Sequence, residues 1–518
     1  MRDVGLKLHS AMRWEVFSDY MTKICLITAF PPSIRALNEY SSHIARELQR
    51  HSDVELTILA DELEDYAFAT DAHGEAVHSS RSVDLPGVKL IRCWKFGSLA
   101  NPIKLLNAIR QASPDVVWFN LVFSSFGGPS TPFAAFAGLS VPALTRAAGF
   151  YTHVTLHHIV EHVDFASAGI PREKLQRMGA DVATRALLRA DSVSVLLSDY
   201  RRTLMTKYSA ENVVLGTHGT FATVPSPPNF TKRANPEHRI LAFGNWGTYK
   251  RLEKLMEAFP SVLERIPNAR LIVAGGNHPA AAGYWESIQK AQPAGLPIEF
   301  LGYIPPDDIS ELFRTCSLLI MPYDSCTGSS GPAHQACEYG LPIVCADLPD
   351  FRCMAKDDDM AILFYKLGDV DDLAEKMVCV LQSPELQHQM SIHNYEAGVQ
   401  MTMASVTRNY LRWFELHKFK RSIVNEGTLS RFRRRLRHAW SSRFAESWES
   451  WRIDADLIPS LNASAEEQLD DRKRNTIASQ SGTESPSLRH PRSGASPRNH
   501  ERHEDILSQE SEEPVTDF

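Results

Sequence analysis

Short apolar runs alternate with helix-periodic segments twice along the chain, once on each side of the proline-rich stretch Thr223–His238. Strands joined through helices run parallel, because a parallel pair needs a long crossover, and such sheets carry helices on both faces. The first series places strands at Ile24–Phe30, Val54–Ala60, Val88–Arg92, Asp115–Asn120, Val154–His158, Ser192–Leu197 and Val213–Leu215. Helical spacing falls at Asn38–His51, Pro102–Arg110 and Glu173–Leu188, and a further helix runs through Leu204. The second series places strands at Arg239–Phe243, Ala269–Ala274, Ile298–Leu301, Leu318–Met321, Leu341–Ala346 and Ala361–Phe364, with helices at Arg251–Ile266, Trp285–Lys290, Asp308–Thr315, Val370–Leu381 and Pro384–Met390. The chain therefore divides into a flexible leader (1–20), a first α/β unit (21–222), a linker (223–238), a second α/β unit (239–400) and a closing helix (401–420).

Beyond residue 420 the pattern changes. Leu429, Phe432, Leu436, Trp440, Phe444, Trp448 and Trp451 recur every three or four residues, with Arg431, Arg433, Arg434, Arg435, Arg437 and Arg443 between them. Residues 421–458 read as a basic amphipathic helix. Its aromatic face, over 429–451, meets either an anionic membrane surface or the protein itself. Residues 459–518, rich in Ser, Glu, Arg, Pro and His, read as a disordered tail.

Composition narrows the function. A net charge of -7 over 518 residues gives no basic field for nucleic acid. The eight cysteines form no CxxC pair, so neither a zinc site nor a disulfide framework is expected, and a reducing cytoplasm is the expected setting. No apolar run reaches the length of a membrane span.

The stretch Pro322–Pro349, PYDSCTGSSGPAHQACEYGLPIVCADLP, concentrates the candidate chemistry. A buried strand leads into a loop of small residues. Ser330 is then placed to cap a helix whose first turn holds Pro332. Strand, small-residue loop and helix N-terminus together direct backbone N–H groups at an anion. The reading is a phosphate or diphosphate seat, or else an ordinary βαβ crossover.

Two doubly wound units with such a seat in the second resemble a GT-B glycosyltransferase, an α/β fold of two Rossmann-like domains facing a cleft. Leu241–Phe259, LAFGNWGTYKRLEKLMEAF, looks like the opening of the catalytic domain in family 4 retaining glycosyltransferases. Ala269–Gly276, Ile298–Gly302, Ser317–Pro322 and Glu338–Val344 resemble later motifs of that family, in the same order. Ala29–Pro32 resembles its first loop, and Leu156-His-His158 its strand ending in a site histidine.

The resemblance implies a metal-independent hexosyltransferase, without cofactor, that takes a nucleotide-diphosphate sugar. The acceptor is a glycan, a lipid-linked molecule or a small hydroxyl compound, and attack is on the front face, assisted by the leaving phosphate. Lys250 matches the phosphate lysine. Either His157 or His158 matches the catalytic histidine, although a strand-end histidine is equally a structural residue. Gly244, Asn245, Gly275, Thr327, Ser329, Ser330, Gly331, Gln335 and Glu338 fall on donor-binding positions, with Pro32 and Arg35 in the acceptor or phosphate loop. The implied place is the cytoplasm, peripheral at the inner membrane face, in polysaccharide biosynthesis.

The chain also departs from the family. Its Glu-x7-Glu pair, counted back from Gly340, falls on Thr327 and Gln335. Asp324 and Glu338 are the nearby carboxylates that could replace it. The Arg after the strand-end glycine is Asn245, and the first loop lacks its glycines. These losses raise an alternative, a catalytically inert GT-B subunit that binds glycan or assembles with partners. A sugar-phosphate-using synthase or phosphorylase of the same architecture is a third reading.

Overall fold

The computed structural model describes residues 21–425, apart from 34, 64–68, 71–75, 78–82, 129, 164–172, 223–224, 229, 231–237, 279–280, 294 and 326–327. The leader, most of the linker, Thr327, the 429–451 segment and the tail lie outside the described residues.

The first lobe holds strands β1 (Thr22–Ile27), β2 (Val54–Asp61), β3 (Ala69–Thr70), β4 (Ala76–Val77), β5 (Lys89–Trp94), β6 (Val116–Leu121), β7 (Tyr151–Leu156), β8 (Ser192–Val195) and β9 (Val213–Leu215). Seven of them form one sheet in the order β5-β2-β1-β6-β7-β8-β9, parallel throughout, while β3 and β4 make a short antiparallel pair. The second lobe forms a parallel six-stranded sheet in the order β12-β11-β10-β13-β14-β15, from β10 (Arg239–Phe243), β11 (Arg270–Ala274), β12 (Ile298–Gly302), β13 (Leu318–Met321), β14 (Ile343–Ala346) and β15 (Ile362–Tyr365). In both sheets the order doubles back beside the first strand, which opens a crevice at the carboxyl ends of the strands.

The helices of the first lobe are α1 (Asn38–Gln49), α2 (Asn101–Ala112), α3 (Pro132–Leu139), α4 (Val141–Ala147), α5 (Glu173–Leu187) and α6 (Ser198–Tyr208). Those of the second are α7 (Leu252–Arg265), α8 (Tyr284–Ala291), α9 (Pro306–Arg314), α10 (Gly331–Glu338), α11 (Pro349–Asp357), α12 (Val370–Gln382) and α13 (Pro384–Gln400), followed by α14 (Met403–Asn425). Every strand expected from the sequence forms, with ends shifted by a few residues. Three helices absent from the sequence reading, α3, α4 and α11, are short and open with proline in the first turn. Among the described residues no helix is long and apolar enough to cross a membrane.

α14 returns to the first lobe. Its Tyr410 and Phe414 pack on Trp118 with ring centroids 4.6 and 5.4 Å away, and both are buried in that lobe's core with Ile24, Leu26 and Ile44. The first lobe is thus closed by the far end of the chain.

Candidate active site

The carboxyl end of β10 sets the second-lobe side of the site. Gly244 has φ +137°, and a Cβ built there would meet Lys250 Nζ at 3.1 Å, Pro332 Cγ at 3.5 Å and the Tyr323 hydroxyl at 3.7 Å. Strand end, lysine and first turn of α10 therefore converge on one spot. Gly275, at φ +101°, lies under Gly244 so closely that a Cβ would come within 2.1 Å of the Gly244 carbonyl oxygen, so only glycine fits. The half-buried Lys250 is framed by aromatic rings, with Nζ 4.9 Å from the Tyr323 centroid and 5.9 Å from those of Trp246 and Tyr249. Asn245 is exposed.

α10 begins where the sequence placed it. The Ser330 hydroxyl accepts from the Ala333 N–H at 3.4 Å and caps the helix, with Gly331 as the first helical residue. Pro332 has no N–H and the Ala333 N–H is taken by the cap, so the Gly331 N–H is the backbone donor this turn can direct at an anion, at the positive end of the peptide dipoles. Ser329 Oγ, just before the cap, is buried with no hydrogen-bond partner among the described residues. A buried unpaired hydroxyl costs about 1–3 kcal/mol unless a ligand or water satisfies it.

The two replacement carboxylates are committed elsewhere. Asp324 pairs with Arg251 and Lys254, each at 2.6 Å, and these cations hold it below the usual carboxylate range against the opposing effect of burial. Glu338 lies at the other end of α10 from Ser330. Its Oε2 accepts the N–H groups of Phe221 and Ala222, both at 3.0 Å, which ties the chain leaving the first lobe to α10. Burial pushes its carboxyl up, and these amides pull it back. Gln335 is buried on α10.

The first-lobe side is built at the end of β7. His157 Nε2 lies 2.7 Å from Asn120 Oδ1, and the ring stands edge-on to Tyr40 at 4.8 Å. Burial drives its pKa down to about 3 and that of His158 to about 4, so both imidazoles are neutral at neutral pH. The loop before α10 touches this pair. A Cβ on Gly328 would come within 2.4 Å of the His157 carbonyl oxygen and 3.5 Å of His158 Cβ. In the first loop, Arg92 binds the carbonyl of Pro31 at 2.6 Å and that of Asp61 at 2.9 Å, and Asp61 accepts from Ser33 at 2.5 Å. Pro32 is half-buried there, and the Arg35 guanidinium lies on the Phe96 ring at 3.8 Å.

Residues 237–383 match the family model described as glycosyl transferases group 1. The second lobe is a group 1 glycosyltransferase domain. The chain is also 28% identical over 137 residues to sulfoquinovosyl transferase SQD2 of Arabidopsis thaliana, a match that covers 26% of this chain and 25% of that protein. The chain thus aligns with about a quarter of the length of this curated relative. Sucrose-phosphate synthase from Thermosynechococcus elongatus shares the fold with a TM-score of 0.59 and 16% identity, over 77% of this chain and 100% of that one. HepE of Anabaena in complex with UDP does so with a TM-score of 0.53 and 15% identity, over 76% and 100%. The two lobes are those of a GT-B glycosyltransferase fold.

Several residues that the motifs did not indicate join the group 1 domain to the first lobe. The buried Asp350 of α11 accepts the Tyr200 hydroxyl at 2.5 Å and lies 3.0 Å from His162 Nδ1, while the Gly328 N–H donates to the Tyr200 hydroxyl at 2.6 Å. His334 of α10 places its ring 4.5 Å from that of His218, which neighbours Tyr40 at 4.7 Å. Within the second lobe, His278 lies near Lys250, where burial and the lysine charge both lower its pKa. All of these are contacts distant in sequence, and only the motif pattern of Lys250, Gly244 and Ser330 carried a local signal.

Proposed function

We propose that this protein is a retaining glycosyltransferase that moves a hexose from a nucleotide-diphosphate sugar to a glycan, lipid-linked or small hydroxyl acceptor without a metal ion. The observation that carries the reading is the convergence of Lys250 Nζ, Gly244 and the first turn of α10 on one spot. A diphosphate there meets a cation and the positive end of the α10 dipole, which stabilise the charge that develops as the leaving group departs. The Gly244–Gly275 contact lets the backbone approach it. The neutral imidazole of His157 or His158, against which Gly328 packs, serves the sugar side. The UDP-glucose complex of HepE, which shares the fold, makes a uridine donor the first probe. The segment 429–451 is proposed, on its sequence, to meet an anionic membrane.

The test is a donor screen read by nucleotide-diphosphate release. UDP-sugars are expected to turn over in wild type, and Lys250→Ala is expected to lower the rate. Undiminished turnover in that variant would remove Lys250 from the site.

A second reading, an inert glycan-binding or assembly subunit, is favoured by one observation: Asp324 and Glu338 are both engaged in other contacts and leave the missing carboxylate pair without a substitute. Calorimetry separates the two, since failure to bind any UDP- or GDP-sugar would leave only this second reading.

A further inference from the structure

α10 carries a buried histidine one turn beyond its cap, held at both ring nitrogens. His334 Nδ1 lies 2.7 Å from the carbonyl oxygen of Ser330, the capping residue, and Nε2 lies 3.3 Å from Asp358 Oδ2. A carbonyl oxygen can only accept, so Nδ1 carries a hydrogen and donates it. The Nε2 contact then needs a second hydrogen, either on Nε2 or on the Asp358 carboxyl. Without it, a bare nitrogen lone pair would face an ionised oxygen. The carboxylate charge would also stand unpaired where the two side chains are 0% and 4% exposed.

The surroundings keep that hydrogen in place. Burial pushes the Asp358 carboxyl up, the bond with His334 draws it part of the way back, and the Asp357 charge raises it again. The two neighbouring aspartates are engaged elsewhere: Asp357 Oδ2 accepts the Ser198 N–H at 2.6 Å, and Asp359 lies 3.2 Å from His393 Nε2. Across the lobe boundary, the His218 ring stands 4.5 Å from that of His334, with its Nδ1 3.0 Å from the Gly219 carbonyl. Burial, then His334 and His157, lower the His218 pKa well below the usual value, so the proton stays with His334 and Asp358. Burial first, with the Asp358 charge among the smaller causes, keeps the Tyr40 hydroxyl and the Cys337 thiol protonated. The pair stands behind the anion seat, since the backbone N–H and the Nδ1–H of His334 both donate to the Ser330 carbonyl. An ionised, unpaired Asp358 there would offset the positive end of α10 and the Lys250 charge that an incoming anion meets. A shared proton leaves the pair without net charge.

We propose that His334 and Asp358 hold one proton between them behind the first turn of α10, and that this proton keeps the seat attractive to a diphosphate. The choice of ligand rests on the donor-site reading proposed for Lys250, Gly244 and α10. His334 and Asp358 are positioning residues that act through α10.

The test has two parts, both on the full-length protein. Proton NMR near neutral pH is expected to show a far-downfield, solvent-protected resonance from the bridging hydrogen, lost in the isosteric Asp358→Asn. A wild-type spectrum without that resonance overturns the proposal, and this part does not depend on the folding of any His334 variant. Calorimetry at about pH 8, where an isolated carboxyl is ionised, then follows UDP and inorganic pyrophosphate. His334→Gln is expected to bind both about tenfold more weakly, because Asp358 keeps its charge, and His334→Gln/Asp358→Asn to recover most of that loss. A merely structural role would deepen the loss in the double variant. An unrescued loss, or UDP affinity equal in all three proteins, overturns the proposal and leaves the nucleotide-donor reading in place. Pyrophosphate binding with the expected pattern, but no UDP binding, supports the proposal and removes that reading. Failure of wild type to bind either probe overturns both.

Discussion

The two lobes follow one parallel-sheet plan with opposite chemistry inside it. In the first, buried strands carry polar side chains: Asn120 on β6, His153 and Thr155 on β7, Ser192 and Ser194 on β8. In the second, β13 and β14 are wholly apolar, and the polar groups of the site begin only beyond the strand ends. Buried polar groups need partners within the protein. His153 bridges Ser192 and Ser194 at 2.7 and 3.1 Å, and the Tyr410 hydroxyl completes the network 3.0 Å from Ser194. That partner comes from α14, more than two hundred residues downstream of Ser194. The first sheet is finished only when the chain returns, whereas the second is complete on local pattern. The difference agrees with a family model that covers 237–383 and stops short of α14.

The largest expected effect comes from breaking the return. Phe414 is buried against Trp118, and Phe414→Ala should destabilise the protein by about 3–5 kcal/mol, read as a lowered denaturation midpoint. A change within experimental error would mean that α14 is not needed to complete the first lobe. On the other side of the comparison, Lys250→Ala should slow nucleotide-diphosphate release by about 100-fold while leaving the midpoint unmoved, because the lysine lies outside the second sheet. A large fall in stability would place Lys250 in the structural framework.

A smaller effect is expected where the lobes meet. Tyr200→Phe removes the hydroxyl that accepts from Gly328 and donates to Asp350. Donor affinity measured by calorimetry should fall by about fivefold, near 1 kcal/mol, with the apolar cores intact. Unchanged affinity would show that the Gly328 loop holds its place without this contact.

The smallest effect is the pH dependence of the polar sheet. Burial holds His153 at about 3, whereas an imidazole in the unfolded chain titrates near ~6.5. Between those values the unfolded state binds more protons, so stability falls as pH drops through this window. Buried carboxyls such as Asp61 and Asp358, whose pKa values are raised, act in the opposite sense in both wild type and variant. The difference between them isolates the histidine: His153→Gln should lose less thermal stability than wild type between neutral pH and the acid end. Parallel curves would exclude His153 as a contributor.

Much of the fold was legible because apolar periodicity reports directly on strands buried from both faces. The helix start at Ser330 was legible for a similar reason, since a capping side chain acts within three residues. α3, α4 and α11 escaped notice because runs such as PFAAFAGL and VPALTRA are too short to show a helical period. In the site, Gly244, Lys250 and Ser330 were visible through motif spacing. Tyr200, Asp350, His162 and His334 were not, since each meets its partner across the lobe boundary. Asp324 and Glu338 show the limit most sharply. Both were near enough in sequence to be offered as replacements for the carboxylates the resemblance expects at 327 and 335, but Arg251, Lys254 and the amides of Phe221 and Ala222 engage them.

The residue order alone was enough for two α/β units and a helix start at Ser330, because strand periodicity and capping act over a few residues. It did not specify how the first lobe is closed or which carboxylates remain available. Those outcomes depend on groups brought together from distant parts of the chain. Burial and hydrogen-bond competition take effect only when such groups meet.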